Sequence, residues 1–272
     1  MIKKHKISNI GIGDLVNFAT NILLKEEKEI HVSMDEEALI RYKGNPKEYE
    51  LFSREFIQKL LPDTIIHFSY DQSFPSHPIN GNFIRESTNP KIISHFSRIF
   101  DDLKNSNFQP PKKDFIVLST KTRNLKKDIF NSSKNEIFDT LNMLGCPIIL
   151  VGEKEIEYNY EYSHHGKNLI YSIYDDSLSL IKKEILIDKT VPRLGLTTPN
   201  IKNILSDMFL VYNSHLSLTI GVGGFFCMSI FSPNTFALVE KDVSSLHPGL
   251  SDVRLFTKCG LLCDALKMHQ RK

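Results

Sequence analysis

The chain has 272 residues, with 34 Lys and Arg against 32 Asp and Glu and a formal net charge of +2. This length fits one large domain or two ordinary ones, and the balanced charge argues against a dedicated nucleic-acid binder. With 41% hydrophobic and 24% charged residues, the composition is that of a soluble globular protein with a sizeable core. No apolar run approaches the roughly 18 residues of a membrane-spanning helix.

The chain begins with basic residues, but Asp14 falls where a signal peptide needs its apolar region. We therefore expect a cytoplasmic protein, with peripheral association at a membrane left open. The cysteines form no Cys-x-x-Cys pair and are expected to be small core residues in a reducing compartment. Two of them, one helical turn apart, are able to share a metal, but without further ligands at metal spacing we expect no metal and no cofactor. The four are Cys146, Cys227, Cys259 and Cys263.

The first hundred residues alternate between short β-rich runs and amphipathic helical patterns. Such alternation predicts a parallel sheet with helical crossovers. Strands are predicted at 5–10, 29–34 and 64–70, and helices at 14–25, 46–61 and 92–103.

A Pro- and Asn-containing linker at 105–114 separates this half from a second α/β half. Strands are predicted there at 115–118, 147–151, 168–173, 216–222 and 235–239, and helices at 133–144, 199–213, 225–231 and 251–267. We therefore predict two Rossmann-like domains, an N-terminal one at 1–108 and a C-terminal one at 113–250. The helix at 251–272 follows them, and a crossing back to the first domain is expected for it.

The first glycine turn, Gly11-Ile12-Gly13-Asp14, lies between a predicted strand and a predicted helix. The aspartate has two interpretations. Asp14 is either the N-cap of the helix, which spacing alone favours, or a general base at the carboxyl end of the first strand.

The second glycine turn contains Gly221, Gly223 and Gly224 between a buried strand and a helix start. Amides at a helix N-terminus bind anions, and glycine lets a phosphate approach the backbone. The turn has neither the G-x-G-x-x-G of a dinucleotide site nor the G-K-[ST] of a P-loop. It predicts either a diphosphate site or tight strand–helix packing.

The segment Ser119-Thr120-Lys121-Thr-Arg123 directly follows the first strand of the second half. Its hydroxyls and cations suit a phosphorylated ligand, although a solvated basic loop is the alternative. We expect this segment and the second glycine turn to lie on the same edge of one sheet.

Several short motifs, in the same order, resemble the GT-B glycosyltransferases, and among them the ADP-heptose:lipopolysaccharide heptosyltransferase family. The matching segments are Asn9-Ile-Gly-Ile-Gly-Asp-Leu15, Phe115-Ile-Val-Leu-Ser-Thr-Lys-Thr-Arg123, Cys146-Pro-Ile-Ile-Leu-Val-Gly152 and 200–233. The resemblance implies that Asp14 deprotonates the acceptor hydroxyl, and that Lys121 or Arg123, with Gly223 and Gly224, contacts the donor diphosphate. Ile220-Gly-Val-Gly-Gly-Phe-Phe lacks the acid and the His of the family's Asp-x-Gly-x-x-His signature.

The resemblance implies a metal-independent, inverting glycosyltransferase of hexosyl or heptosyl type, with two domains facing a cleft. Its partners would be a nucleotide-sugar donor and a saccharide or other hydroxyl acceptor, with no nucleic acid expected. The predicted donor contacts are Ser119, Thr120, Lys121, Arg123, Gly221, Gly223 and Gly224, with Gly11 and Gly13 shaping the acceptor side. Glu240 is either a ribose contact or a surface residue. A nucleotide-sugar 2-epimerase and a non-catalytic nucleotide-sugar-binding scaffold remain alternatives.

Overall fold

The computed structural model describes residues 2–8, 11–41, 45–76, 90–104, 114–123, 125–155, 170–191, 200–221, 234–240 and 253–269. The chain divides into two compact units. The first contains Met1–Phe108 and Leu196–Ser206, and the second contains Gln109–Gly195 and Asp207–Lys272. Residues 196–206 thus group with the first unit, although the sequence pattern places them in the second half.

The first unit contains a parallel sheet in the order β1-β2-β3. Its elements are β1 (Lys3–Ile7), α1 (Ile12–Leu24), β2 (Glu29–Met34), α2 (Glu36–Arg41), α3 (Pro46–Leu60), β3 (Ile65–Ser69) and α4 (Pro90–Lys104). The predicted alternation of strand and helix is confirmed, and α2 is an additional short helix.

Helix α1 is buried along almost its whole length. Leu15, Phe18 and Ile22 supply the apolar contacts. The polar side chains of Asn17 and Asn21 are buried as well, and Nδ2 of Asn21 donates a hydrogen bond of 2.8 Å to Oδ1 of Asn17. This pairing lets amide groups stay inside the unit without large cost.

The second unit is built on a parallel sheet in the order β11-β10-β9-β4-β6-β8. A separate antiparallel pair, β5 with β7, lies outside this sheet. The elements are β4 (Ile116–Ser119), β5 (Lys121–Arg123), α5 (Lys127–Leu144), β6 (Ile148–Val151), β7 (Ile170–Ser172), α6 (Tyr174–Leu180), β8 (Leu186–Asp188), α7 (Ile201–Asn213), β9 (Leu216–Ile220), β10 (Thr235–Leu238), β11 (Val253–Phe256) and α8 (Cys259–His269).

The segment before the C-terminal helix corrects one prediction. The helix predicted at 251–267 begins only at Cys259, because Val253–Phe256 pairs in parallel with β10 as an edge strand. Helix α8 packs on the second unit, mainly against α5. Its buried face joins the core cluster that β4, β6, β9 and β10 form with α5, and it contributes Leu262, Cys263 and Leu266.

Within the described residues, no helix combines the length and apolar character that crossing a membrane requires.

The docking of α8 predicts a difference between two adjacent leucines. Leu262 is 0% exposed, whereas Leu261 is 57% exposed. Leu262→Ala should lower the free energy of unfolding by about 2–5 kcal/mol, because it removes buried methyl groups and leaves a cavity. Leu261→Ala should change it by less than about 0.5 kcal/mol. Urea unfolding monitored by circular dichroism measures both, and equal losses would contradict this placement of α8.

Candidate functional site

The strand order of the second unit reverses direction at β4. The chain runs from β4 outward through β6 to β8, then returns to the other side of β4 as β9 and continues to β10 and β11. All these strands are parallel, so their carboxyl ends share one edge. Open α/β sheets of this order bind ligands outside those ends, at the reversal. We call this place the carboxyl edge and define it by Ser119–Lys121, Val151–Glu153, Ile220–Gly221 and Val239–Glu240.

Thr120 ties the ends of β4 and β6 together. Its backbone N–H donates to the carbonyl of Val151 at 3.0 Å. Its hydroxyl lies 2.8 Å from the carbonyl oxygen of Glu153 and 3.1 Å from that of Val151. Because Thr120 is completely buried and its hydroxyl is engaged, it supports the edge from within.

Gly152 makes the close approach of these two strands possible. Its φ of 98° lies in the region that favours glycine. A Cβ at this position would stand 3.1 Å from Oγ1 of Thr120. Both the backbone conformation and the neighbouring hydroxyl therefore require a residue without a side chain.

The predicted loop after β4 is a short strand. Lys121–Arg123 forms β5, which pairs with β7 in antiparallel register. Nζ of Lys121 lies 3.7 Å from Oε2 of Glu153, and both side chains are 28% exposed. The edge thus presents a partly exposed cation that has a carboxylate as its neighbour. The side chain of Arg123, like Gly223 and Gly224, lies outside the described residues.

Gly221 ends β9 beside β4. Its φ is 79°, and its N–H donates to the carbonyl of Leu238 at 2.7 Å. Gly221 therefore has a backbone conformation that other residues rarely adopt. Strands β4 and β9, which precede the two predicted phosphate segments, pair directly. The expectation that both segments lie on one edge stays a prediction, because Gly223 and Gly224 are outside the described residues.

Buried hydroxyl groups line one face of β4 and β9. Leu118 pairs with Leu218, so Ser119 and Thr219, one residue further along each strand, lie side by side on the opposite face. Among the described residues, neither hydroxyl has a hydrogen-bond partner, although both side chains are buried. An unsatisfied buried hydroxyl costs about 1–3 kcal/mol. This face of the sheet, next to the carboxyl edge, is therefore polar at positions where apolar side chains would give a more stable fold.

Glu240 and Lys126 join β10 to the start of α5. Oε1 of Glu240 accepts from Nζ of Lys126 at 2.9 Å, and this hydrogen bond and the carboxylate charge raise the pKa of Lys126. Lys126 is the N-cap residue of α5, and its side chain makes no capping hydrogen bond. Helix N-termini attract anions. The N-terminus of α5, the first helix after β4, lies beside the ion pair of Lys126 with Glu240.

Asp207, which sequence analysis missed, lies against the same edge. Burial raises its pKa to about 8, although the N–H of Gly152 hydrogen-bonds its carboxyl group and acts in the opposite direction. The residue keeps partial solvent exposure, while its carboxyl group is largely desolvated. Near neutral pH this site therefore contains a carboxyl group that retains its proton. The available signal was an aspartate directly before the apolar run Met208-Phe-Leu-Val211 of the predicted helix.

The predicted site of the first unit lies at the start of α1. Gly11 is the N-cap residue, with φ −61° and ψ 152°, and as a glycine it has no side chain of its own to cap the helix. Asp14 is the third helical residue, half-buried, so the interpretation of Asp14 as the N-cap is wrong. Gly13 is buried within the first turn. The carboxylate of Asp14 thus belongs to the first turn of the helix that follows β1.

No protein-family model matches this chain, and no curated protein matches it significantly. Among solved structures, it is similar to the dodecameric iron-containing heptosyltransferase TibC in complex with ADP-D-beta-D-heptose, at 11% identity and a TM-score of 0.44. That match covers 88% of this chain and 59% of TibC, so the chain spans less than two thirds of TibC. It is also similar to UDP-GlcNAc 2-epimerase from Methanocaldococcus jannaschii, at 14% identity and a TM-score of 0.40, over 96% of this chain and 75% of that one. Similarity this low transfers no residue's role to this chain.

The raised pKa of Asp207 predicts a pH dependence of stability. Between its ordinary pKa of 3.8 and about 8, the unfolded chain has released this proton while the folded chain retains it. Asp207 therefore lowers the free energy of unfolding as pH rises, by up to about 1.4 kcal/mol per pH unit, and the loss ends above the folded pKa. Asp207→Asn removes this contribution.

Urea unfolding between about pH 5 and pH 8 should show a flatter pH profile for Asp207→Asn than for the wild type. Asp175→Asn, at an exposed position of α6, is the matched control and should keep the wild-type profile. Parallel profiles for all three proteins would show that the carboxyl group of Asp207 is solvated.

Proposed function

We propose that the chain is a GT-B-like glycosyltransferase. It transfers a hexose or heptose from a nucleotide-diphosphate donor to an acceptor hydroxyl, without a catalytic metal and with inversion at the anomeric carbon. The observation that carries the proposal is the position of Lys121 at the carboxyl edge, beside the reversal of strand order between β4 and β9.

The donor binds at this edge of the second unit. Its diphosphate takes the place of Glu153 beside Lys121, because two phosphate groups offer more negative charge than one carboxylate. The N-terminus of α5 adds its unpaired amides and its dipole. Gly221, with its positive φ, allows phosphate oxygens to approach the backbone after β9.

The residues predicted to contact the donor have different parts in this proposal. Lys121 contacts the diphosphate directly. Ser119 and Thr120 are completely buried, so they support the edge and set its polarity from beneath. Glu240 forms an ion pair with Lys126. To contact the donor, its carboxylate would leave this lysine and accept a hydrogen bond from a ribose hydroxyl. Arg123, Gly223 and Gly224 remain predicted contacts.

Asp14 is the proposed general base of the acceptor side. Its carboxylate takes the proton of the acceptor hydroxyl while the hydroxyl oxygen forms a bond to the anomeric carbon. The bond between that carbon and the diphosphate oxygen breaks, and the nucleoside diphosphate leaves with the electron pair. Lys121 stabilises the charge that develops on the leaving oxygen.

A nucleotide-sugar 2-epimerase is the second candidate, and Asp207 is the observation that favours it. Epimerisation needs groups that give and take protons next to the donor sugar, and Asp207 carries a proton at neutral pH by the same edge. An epimerase alters the donor without any acceptor, whereas a transferase releases the nucleoside diphosphate in an acceptor-dependent way. A binding scaffold does neither.

Asp14→Asn should lower acceptor-dependent release of nucleoside diphosphate by about 10²- to 10⁴-fold, because the amide cannot accept the hydroxyl proton. Donor affinity should remain unchanged. The assay uses a panel of nucleotide-sugar donors and saccharide acceptors, with product detection by mass spectrometry.

Glu48→Gln is the matched control, because Glu48 is also the third residue of a helix in the first unit, α3. It should retain wild-type turnover. Turnover by Asp14→Asn equal to that of the control would remove Asp14 from the mechanism, and donor conversion without acceptor would favour the epimerase.

A further inference from the structure

Two helices of the second unit bring together three metal-binding side chains that are not among the residues of the carboxyl edge. Cys259 and Cys263 lie one turn apart on α8, and Glu136 lies on α5, which packs against it. One ligand atom from each of the three residues lies within 4.8 Å of the other two. Sequence spacing alone offered only the two cysteines, because Glu136 belongs to a distant segment.

The separation of the two sulfur atoms suits one tetrahedral ion. Sγ of Cys259 lies 3.8 Å from Sγ of Cys263. Two thiolates at about 2.3 Å from a tetrahedral Zn²⁺ are about 3.8 Å apart, so these sulfurs need almost no movement. The same separation is well beyond the ~2 Å of a disulfide bond.

The carboxylate of Glu136 completes this arrangement from the solvent side. Oε1 lies 3.8 Å from the place where a Cβ of Gly260 would stand, so the carboxylate lies beside the first turn of α8. Glu136 is exposed, Cys259 is half-buried and Cys263 is buried. An ion at this position would therefore be enclosed by protein on the sulfur side and open to a water ligand on the other.

We propose that Cys259, Cys263 and Glu136 form a binding site for a thiophilic divalent cation, with Zn²⁺ as the best fit and water as the fourth ligand. Two soft thiolates favour Zn²⁺ over Mg²⁺ or Ca²⁺, which prefer oxygen ligands. The ion links the last helix to α5 and so fastens the end of the chain to the second unit. This role is structural and separate from sugar transfer.

Without metal, both sulfurs are protonated thiols. Burial, followed by the neighbouring Cys263, raises the pKa of Cys259 to about 12, and burial also raises the pKa of Cys263. Each thiol contacts a backbone carbonyl of α5 at 3.6 Å, Cys259 that of Ser133 and Cys263 that of Glu136. Binding replaces the two S–H bonds with two metal–sulfur bonds and releases two protons to water.

Co²⁺ is a suitable probe, because thiolate ligands give it charge-transfer absorption in the near ultraviolet. The full chain, reduced and freed of metal by chelation, should bind one Co²⁺ with the absorption of two thiolates, and Zn²⁺ should displace it. Zn²⁺ should also raise the midpoint of thermal unfolding, since it binds the folded chain.

Cys259→Ser and Cys263→Ser should each remove at least half of this absorption. Glu136→Gln changes only an exposed position, so this variant should fold. It should keep the thiolate absorption but bind Co²⁺ at least about tenfold more weakly, because even the loss of an outer-shell partner of a metal ligand has an effect of this size. Cys146→Ser, at a half-buried cysteine outside the cluster, is the control and should match the wild type.

Absence of the absorption in the folded wild type would overturn the proposal. Undiminished absorption in Cys259→Ser, or equal Co²⁺ affinity in Glu136→Gln and wild type, would overturn it as well.

Discussion

Hydrogen bonding of β4 to β6 on one side and to β9 on the other is the constraint on which the second unit depends. Because both pairings are parallel, the carboxyl ends of all three strands come to one edge, and each return of the chain needs a crossover. Residues far apart in sequence then meet there. This arrangement explains the pair of Lys121 with Glu153 and the bonds of Thr120 to the end of β6.

Most of the fold could be predicted from local patterns, and the exceptions have a common cause. The apolar runs at 147–151 and 216–222 correspond to buried strands, because a strand covered on both faces is apolar throughout. Val253–Phe256 was expected to be helical, since Leu255 and Phe256 share the spacing of the helix that follows. Only the partner strand β10 distinguishes the two conformations, and no local pattern contains it.

The candidate site could be predicted in part for the same reason. The place of Lys121 directly after a buried strand could be predicted, because the position of a strand end is a local property. Asp207 and Glu136 were missed because their neighbours come from other segments: Gly152 for Asp207, and Cys259 with Cys263 for Glu136. Burial of a carboxyl group and the gathering of ligands are tertiary effects, so they become visible only once helices and strands have packed.

In the proposed function, Lys121 holds a diphosphate at the carboxyl edge in competition with Glu153. Calorimetric titration with UDP, GDP, ADP and CMP tests it most directly, using wild type, Lys121→Met and Glu153→Gln. One of the diphosphates should bind the wild type more tightly than CMP does. Its affinity should fall by at least about tenfold in Lys121→Met, because a charge-assisted contact worth about 1.5–3 kcal/mol is lost. Its affinity should rise in Glu153→Gln, because the competing carboxylate is removed. Absence of binding by every nucleotide, or equal affinity in all three proteins, would contradict the account.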